Sequence, residues 1–187
     1  MSERVIRLIS AASETREARI DIDDWQVVGL TAGEDLSQLP PGHLIVPLSV
    51  WKARRTELIG AEVLDRNERI GVWLQPDEEP GDIAADVEKL PVIAVHFPKW
   101  GEGRGYSTGV LLRTRYAFRG ELRAFGDIGR DHLFNLARCG FDAFALPPQR
   151  DPGDALAAFD EFSLRYQGSV DDPVPLFRKR ATVGATR

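Results

Sequence analysis

The sequence predicts an α/β domain with a mainly parallel sheet, and three observations carry that expectation. Short apolar runs recur at Leu44–Leu48, Ile70–Leu74, Pro91–Phe97, Leu122–Phe125 and Phe141–Leu146. Each is followed by a stretch with helical signals, at intervals of roughly 20 to 30 residues, the spacing of parallel strands joined by crossover helices. The runs are continuous rather than alternating, which fits strands buried on both faces. An incomplete β/α barrel and an open doubly wound sheet are both compatible with about five strand–helix units. The barrel-like form is favoured, because LRAFGDIGRDHLFNLARCGFDAFAL has the strand, helix and G-x-D-A strand common in such barrels, an analogy of fold only.

Within the core, residues 44–167, each element has its own signal. Ser49 reads as the cap of a helix over Val50–Ile59. Ile83, Val87 and Leu90 share one helical face in Asp82–Leu90. Ser107 reads as the cap of a helix from Tyr106 to Phe118. Ile128–Cys139 reads as a helix stopped by Gly140, with Asp127 as its cap. Asp151 and Pro152 open a last helix that places Ala155, Phe159, Phe162 and Tyr166 on one face.

The flanks are less regular. In residues 1–43, Val5–Ile9 and Ala18–Ile22 read as short strands, Asp21, Asp23 and Asp24 as an acidic turn, and Leu39-Pro40-Pro41-Gly42 as a stop. The tail, 168–187, bears prolines and ends in the basic Arg178-Lys179-Arg180, a frayed or docking segment.

Composition limits the function. A length of 187 residues suits one domain, and 43% hydrophobic with 28% charged residues is the balance of a soluble globular protein. A net charge of −5 gives no reason to expect nucleic acid or an anionic membrane as partner. The single cysteine, Cys139, excludes an internal disulfide and, with no signal peptide or membrane-length apolar run, points to the cytoplasm.

Ligands of parallel sheets collect at the carboxyl ends of the strands, and two loops there are polar. One is Pro98 to Ser107, where glycines, a helix N-terminus, Lys99 and Arg104 suit an anion. It is neither a Walker loop nor a dinucleotide fingerprint, since no Gly-Lys-Ser/Thr follows and Tyr106 stands where the third glycine belongs. The other is Gly126 to His132. Together they define a candidate anion-binding rim of Arg104, Tyr106, Ser107, Asp127 and Arg130, set against the plainer reading of helix caps and solvated charges. Arg130 and Asp131 could pair at the surface.

Redox and metal chemistry have little support. His132 and Cys139 lie seven positions apart, about 10 Å along a helix, too far for a nucleophile–base pair. No CxxC offers a dithiol couple. His43, His96 and His132 lack zinc-ligand spacing. Trp25, Trp51 and Trp73 read as core, and Trp100 alone lies in a candidate ligand loop. Arg113 and Arg115, on different sides of their helix, read as solvated or carboxylate-paired.

One further signal is a resemblance. GRGYS, LLRTRYAFRGELRAFGD and RDHLFNLARCGFDAF resemble the signature of a bacterial family, domain-of-unknown-function family 934. Its members are labelled oxidoreductases of sulfite reduction, because their genes adjoin those of assimilatory sulfite reductase. The resemblance spans roughly residues 44–167, and no catalytic residue comes with it. Glu102, Gly129 and His132 depart from the family pattern, which makes His132 a poor choice of essential acid or base. What it implies is a role in sulfur assimilation, with sulfite reductase or another enzyme of that route as partner and a small anion as ligand. The alternatives are a small enzyme that borrows NADPH, flavin or another soluble cofactor, and a ligand-free scaffold.

Overall fold

The five apolar runs are strands, and the N-terminal segment adds three more. In chain order these are β1 (Arg4–Ser10), β2 (Arg16–Ile22), β3 (Trp25–Val27), β4 (His43–Pro47), β5 (Ile70–Leu74), β6 (Val92–Phe97), β7 (Glu121–Gly126) and β8 (Ala143–Ala145). The α-helices are α1 (Leu48–Leu64), α2 (Arg104–Thr114) and α3 (Arg130–Arg138) between strands, and α4 (Pro152–Leu156) after the last of them. The computed structural model describes residues 4–10, 16–31, 33–64, 69–162 and 166–179. Arg180 of the basic tail lies outside them.

All eight strands join one mixed sheet, in the order β2-β1-β8-β7-β6-β5-β4-β3. Strands β3 to β8 run parallel, as in Val95 opposite Ala124 and Ala124 opposite Phe144. Strand β1 runs antiparallel to both neighbours, β2 and β8. The expected five-unit, mainly parallel sheet therefore gives way to a larger mixed one. The chain enters through a hairpin, and the hairpin caps the edge that β8 would leave bare.

The topology also fixes the curvature. Strands β2 and β3 stand at opposite edges, yet only Asp23 and Asp24 separate them in sequence. Three Cα steps span at most about 11 Å. The sheet must therefore curl until its edges meet at that dipeptide, and it forms a half-barrel.

Alternation along the strands divides the apolar residues between two cores. Val46, Val72, Val95, Ala124 and Phe144 face outward, under Trp51 and Leu58 of α1, Leu112 of α2, and Leu133 and Leu136 of α3. Ile45, Trp73, Ala94, Phe125 and Ala145 face inward and fill the half-barrel, with Trp25 and Val27 packed against them.

Three local expectations are corrected. Asp82–Leu90 is not an α-helix but two 3₁₀ turns, Pro80–Ile83 and Val87–Lys89. Ile83, Val87 and Leu90 are buried all the same, because turns of this kind bring the apolar trio onto the core as well as a helix would. Ser49 lies inside the first turn of α1, which opens at Leu48 and bends at Arg54 (φ −118°, ψ 18°), whose guanidinium reaches the Leu36 carbonyl at 2.8 Å. The last helix stops at Leu156 and continues only as a 3₁₀ turn, Ala157–Phe159, so the expected apolar face breaks and Phe162 and Tyr166 are exposed. Its cap is as expected, with Asp151 accepting the Gly153 N–H at 3.2 Å. The described part of the tail docks on the end of α3, where the Val170 N–H meets the Arg138 carbonyl at 3.1 Å.

Candidate functional site

At the amino ends of the parallel strands, charge closes the half-barrel. Arg123, fully buried in β7, holds Asp23 through two bonds of 3.0 and 2.9 Å and lies 2.6 Å from Glu121. Arg7 reaches Glu121 at 2.8 Å from β1. Asp23 is thus more than a turn residue: it anchors the meeting point of the two sheet edges. In barrels of this kind this end is the stabilising one, and chemistry belongs at the other.

At the carboxyl ends lie the two predicted loops. The first, before α2, is closed on itself. Glu102 accepts the backbone N–H of Arg104 at 3.0 Å and takes its guanidinium at 3.0 and 2.9 Å. These bonds, from the side chain first and the backbone second, hold the Glu102 carboxyl at about 2. The glycine-bearing loop thus carries its own anion. The N-cap of α2 is Gly103, so Ser107 is an exposed residue inside the helix rather than its cap. Gly105 lets α2 settle on the sheet, since a Cβ there would lie 2.6 Å from the Phe97 ring. Tyr106 packs edge-on to Phe97, with centroids 5.7 Å apart, and burial pushes its hydroxyl pKa up. It belongs to the helix-side core.

The second loop is more open. Asp127 does not cap α3; Gly129 does, and His132 completes the turn by accepting the Gly129 N–H on Nδ1 at 3.1 Å. With Nδ1 accepting, Nε2 carries the proton and donates to the Trp100 carbonyl at 3.0 Å. Asp127 instead holds Arg150, at 3.1 Å, from the loop after β8. The Arg150 guanidinium lies over the Trp100 indole, 4.5 Å from its centroid. A Cβ at position 129 would overlap that guanidinium, so a larger residue there needs the Arg150 side chain to swing aside. Arg130 pairs with Glu161, at 3.0 and 2.5 Å, and not with Asp131.

These contacts enclose a cleft of about 350 Å³ lined by Trp100, Arg130, Asp131, Gln149, Arg150 and Asp154, with Leu146 and Ala155 at its base. Of the five predicted rim residues, Arg130 lines the cleft and Asp127 positions a residue that does. Arg104, Tyr106 and Ser107 are not among its walls. What joins the two loops is Trp100, through His132 and Arg150, rather than a pair of arginines 104 and 130. Arg150 was missed because the carboxyl-edge rule was applied to the strands before it; the same rule covers Pro147-Pro148-Gln149-Arg150 directly after β8.

Inside the mouth, His96 ends the inward face of β6. Its Nδ1 lies 3.1 Å from Gln75 Oε1, and its ring stacks on Phe125 at 4.9 Å and 17°. Burial lowers its pKa, so the ring is neutral at pH 7. Cys139 sits half-buried at the end of α3, where burial pushes its thiol up, against the activation a nucleophile needs. Among the described residues no three His, Cys, Asp or Glu side chains are grouped to hold a metal ion. No helix of the described residues is long and apolar enough to cross a membrane.

The profile of the family described as "Bacterial protein of unknown function (DUF934)" matches residues 71–177. The chain belongs to that family. The matched region of this DUF934 protein runs from β5 through the docked tail, so it contains both carboxyl-edge loops, the cleft and His96. The β1–β2 hairpin, β3, β4 and α1 lie before it. No curated protein and no solved structure matches the chain.

Proposed function

We propose that this DUF934 protein serves assimilatory sulfite reduction as an accessory protein that binds a small oxyanion at the carboxyl edge of its sheet. The observation that carries this reading is the placement of Arg130 and Arg150 on one cleft beside Trp100. Their carboxylate partners, Glu161 and Asp127, are 40% and 45% exposed, so exchanging them for an incoming anion costs little. Guanidinium forks also match the oxygen spacing of sulfur and phosphorus oxyanions. Asp131, Asp151 and Asp154 share the walls. Selection therefore rests on hydrogen-bond geometry rather than on net positive charge. The metabolic assignment comes from the resemblance over residues 44–167, which also suggests sulfite reductase or another sulfur-assimilation enzyme as partner. The second reading, a small enzyme that borrows a nucleotide or flavin, is favoured by one observation only, the neutral imidazole of His96 in the mouth.

Thermal shift separates these readings. Sulfite, sulfate or phosphate at ten times its dissociation constant adds about 1.4 kcal/mol, hence roughly 3–6 °C in Tm. The Arg130→Ala/Arg150→Ala double variant should lose that shift and stay folded. Stabilisation specific to NADPH or flavin would move the assignment to the enzyme, and no response to any of them would leave a scaffold. Cys139→Ser should grow on sulfate as the parent does, with stability lowered by about 1 kcal/mol or less; a growth defect in the folded variant would overturn that expectation.

A further inference from the structure

The mouth of the half-barrel holds a group that neither loop accounts for. By alternation, Val92, Ala94 and His96 face inward from β6, and His96 is the last of them. Beneath it the interior is filled: Phe125 stacks on the ring, Trp73 meets it edge-on at 5.8 Å, and Trp73 is tied by its indole N–H to the Val28 carbonyl at 2.9 Å. The imidazole is therefore a lid on a packed core, held in one orientation. Glycine at 126, with φ +108°, is needed beside it, because a Cβ there would lie 2.3 Å from the Phe97 carbonyl oxygen and 2.9 Å from His96 Cδ2.

The tautomer follows from the one bond the ring makes. An amide oxygen only accepts, so the contact with Gln75 Oε1 places the proton on Nδ1 and the lone pair on Nε2. Nε2 has no hydrogen-bond partner among the described residues, and it is not among their buried unpaired atoms. It is an accessible, fixed acceptor on a neutral ring. Such a group repels a fully ionised anion by its lone pair and rewards a ligand that brings a proton. Cations stand on the loops that leave the same strand ends: Lys99 two residues past β6, and Arg150 bonded to Asp127 directly past β7.

We propose that the mouth is a binding position for a small oxyanion that keeps a proton near neutral pH, with His96 Nε2 accepting the hydrogen bond of its O–H, so that the protein selects such anions over fully deprotonated ones. His96 is not among the walls of the arginine cleft. The inference rests on the reading above for the class of ligand, and adds a second position for it, its protonation state and the residue that senses it. Inorganic phosphate and sulfite keep part of their protons at neutral pH; sulfate keeps none.

The test is a histidine ¹H–¹⁵N NMR titration of the whole chain at neutral pH, with phosphate, sulfite and sulfate in turn. The expected result is a His96 spectrum of the Nδ1–H tautomer, an Nε2 resonance that moves with phosphate and sulfite, and no movement with sulfate. His96→Phe, which keeps the stack on Phe125, should lower the preference for phosphate over sulfate by roughly 3- to 10-fold, the worth of one hydrogen bond. An Nε2–H tautomer, or a His96 signal unmoved by phosphate and sulfite while the thermal shift responds to them, would overturn this inference and leave the arginine cleft standing. No response to any anion in either measurement would overturn both.

Discussion

Replacing Arg123 by methionine should cost about 3–5 kcal/mol of stability, a large share of the 5–15 kcal/mol that a domain of this kind possesses. Arg123 is completely buried, and its partner Asp23 has a side chain only 2% exposed. Without the guanidinium, the buried Asp23 carboxyl is left with the hydrogen bond of the Trp25 N–H, at 3.3 Å, and the more distant charge of Arg7. Removing the second charge should then help rather than harm: Arg123→Met/Asp23→Leu is expected to recover part of the loss, because two apolar groups need no compensation. Urea unfolding of the parent, both single variants and the double variant measures the coupling. A loss below about 1 kcal/mol for Arg123→Met would mean that the pair is screened as a surface pair is, and that it does not close the half-barrel.

The second large effect is expected at Arg113. From α2 its guanidinium donates to the carbonyls of Gly140 (2.9 Å), Phe118 (2.8 Å) and Gly120 (2.9 Å), and to Asp142 at 2.6 Å. Asp142 in turn accepts the Leu122 N–H at 2.7 Å. One side chain thus ties the helix to the chain segments that start β7 and β8. Arg113→Ala strands several acceptors at once, each worth about 1 kcal/mol or more when left unpaired. A total near 3 kcal/mol corresponds to a Tm lowered by about 6–12 °C. Arg113→Lys should rescue little, because a single ammonium cannot reproduce the planar fork. A lysine variant as stable as the parent would show that charge alone, and not the fork, secures these segments.

The sequence offered a carboxylate partner for Arg113, and Asp142 is that partner, but Arg123 did not stand out. Arg123 interrupts an apolar run, LRAF, and its partner lies a hundred positions away, so no local pattern links them. The five strand positions of the core were legible because apolar runs bounded by turns are a local signal. The sheet's composition was not, since it depends on where a short N-terminal hairpin docks. Asp82–Leu90 misled because a helical face and two 3₁₀ turns bury the same three residues. The site was half legible: the carboxyl-edge rule found the loops at Trp100 and Arg130, and it could not show that Glu102 would occupy the first of them. His96 was visible only as the end of an apolar run. Its significance lies in which way it faces and in what Gln75 and Phe125 do to it, and those are facts of tertiary structure.

The antiparallel seat of β1 beside β8 has a consequence for how the molecule is made. About three quarters of the chain's length separates Ile6 from its neighbour Phe144. During synthesis the first hairpin therefore leaves the ribosome without a surface to dock on, and waits while β4 to β7 assemble in order. Its outer residues, Leu8, Ala18 and Ile20, are exposed in that interval. Arg7, Glu17, Arg19 and Asp21 on the other face act as gatekeepers that keep the waiting hairpin from pairing with another chain. Closure is then the slow, last event of folding, as contacts of long sequence separation are. A ribosome stalled before residue 143 should hold a protease-sensitive N-terminus on an already structured sheet.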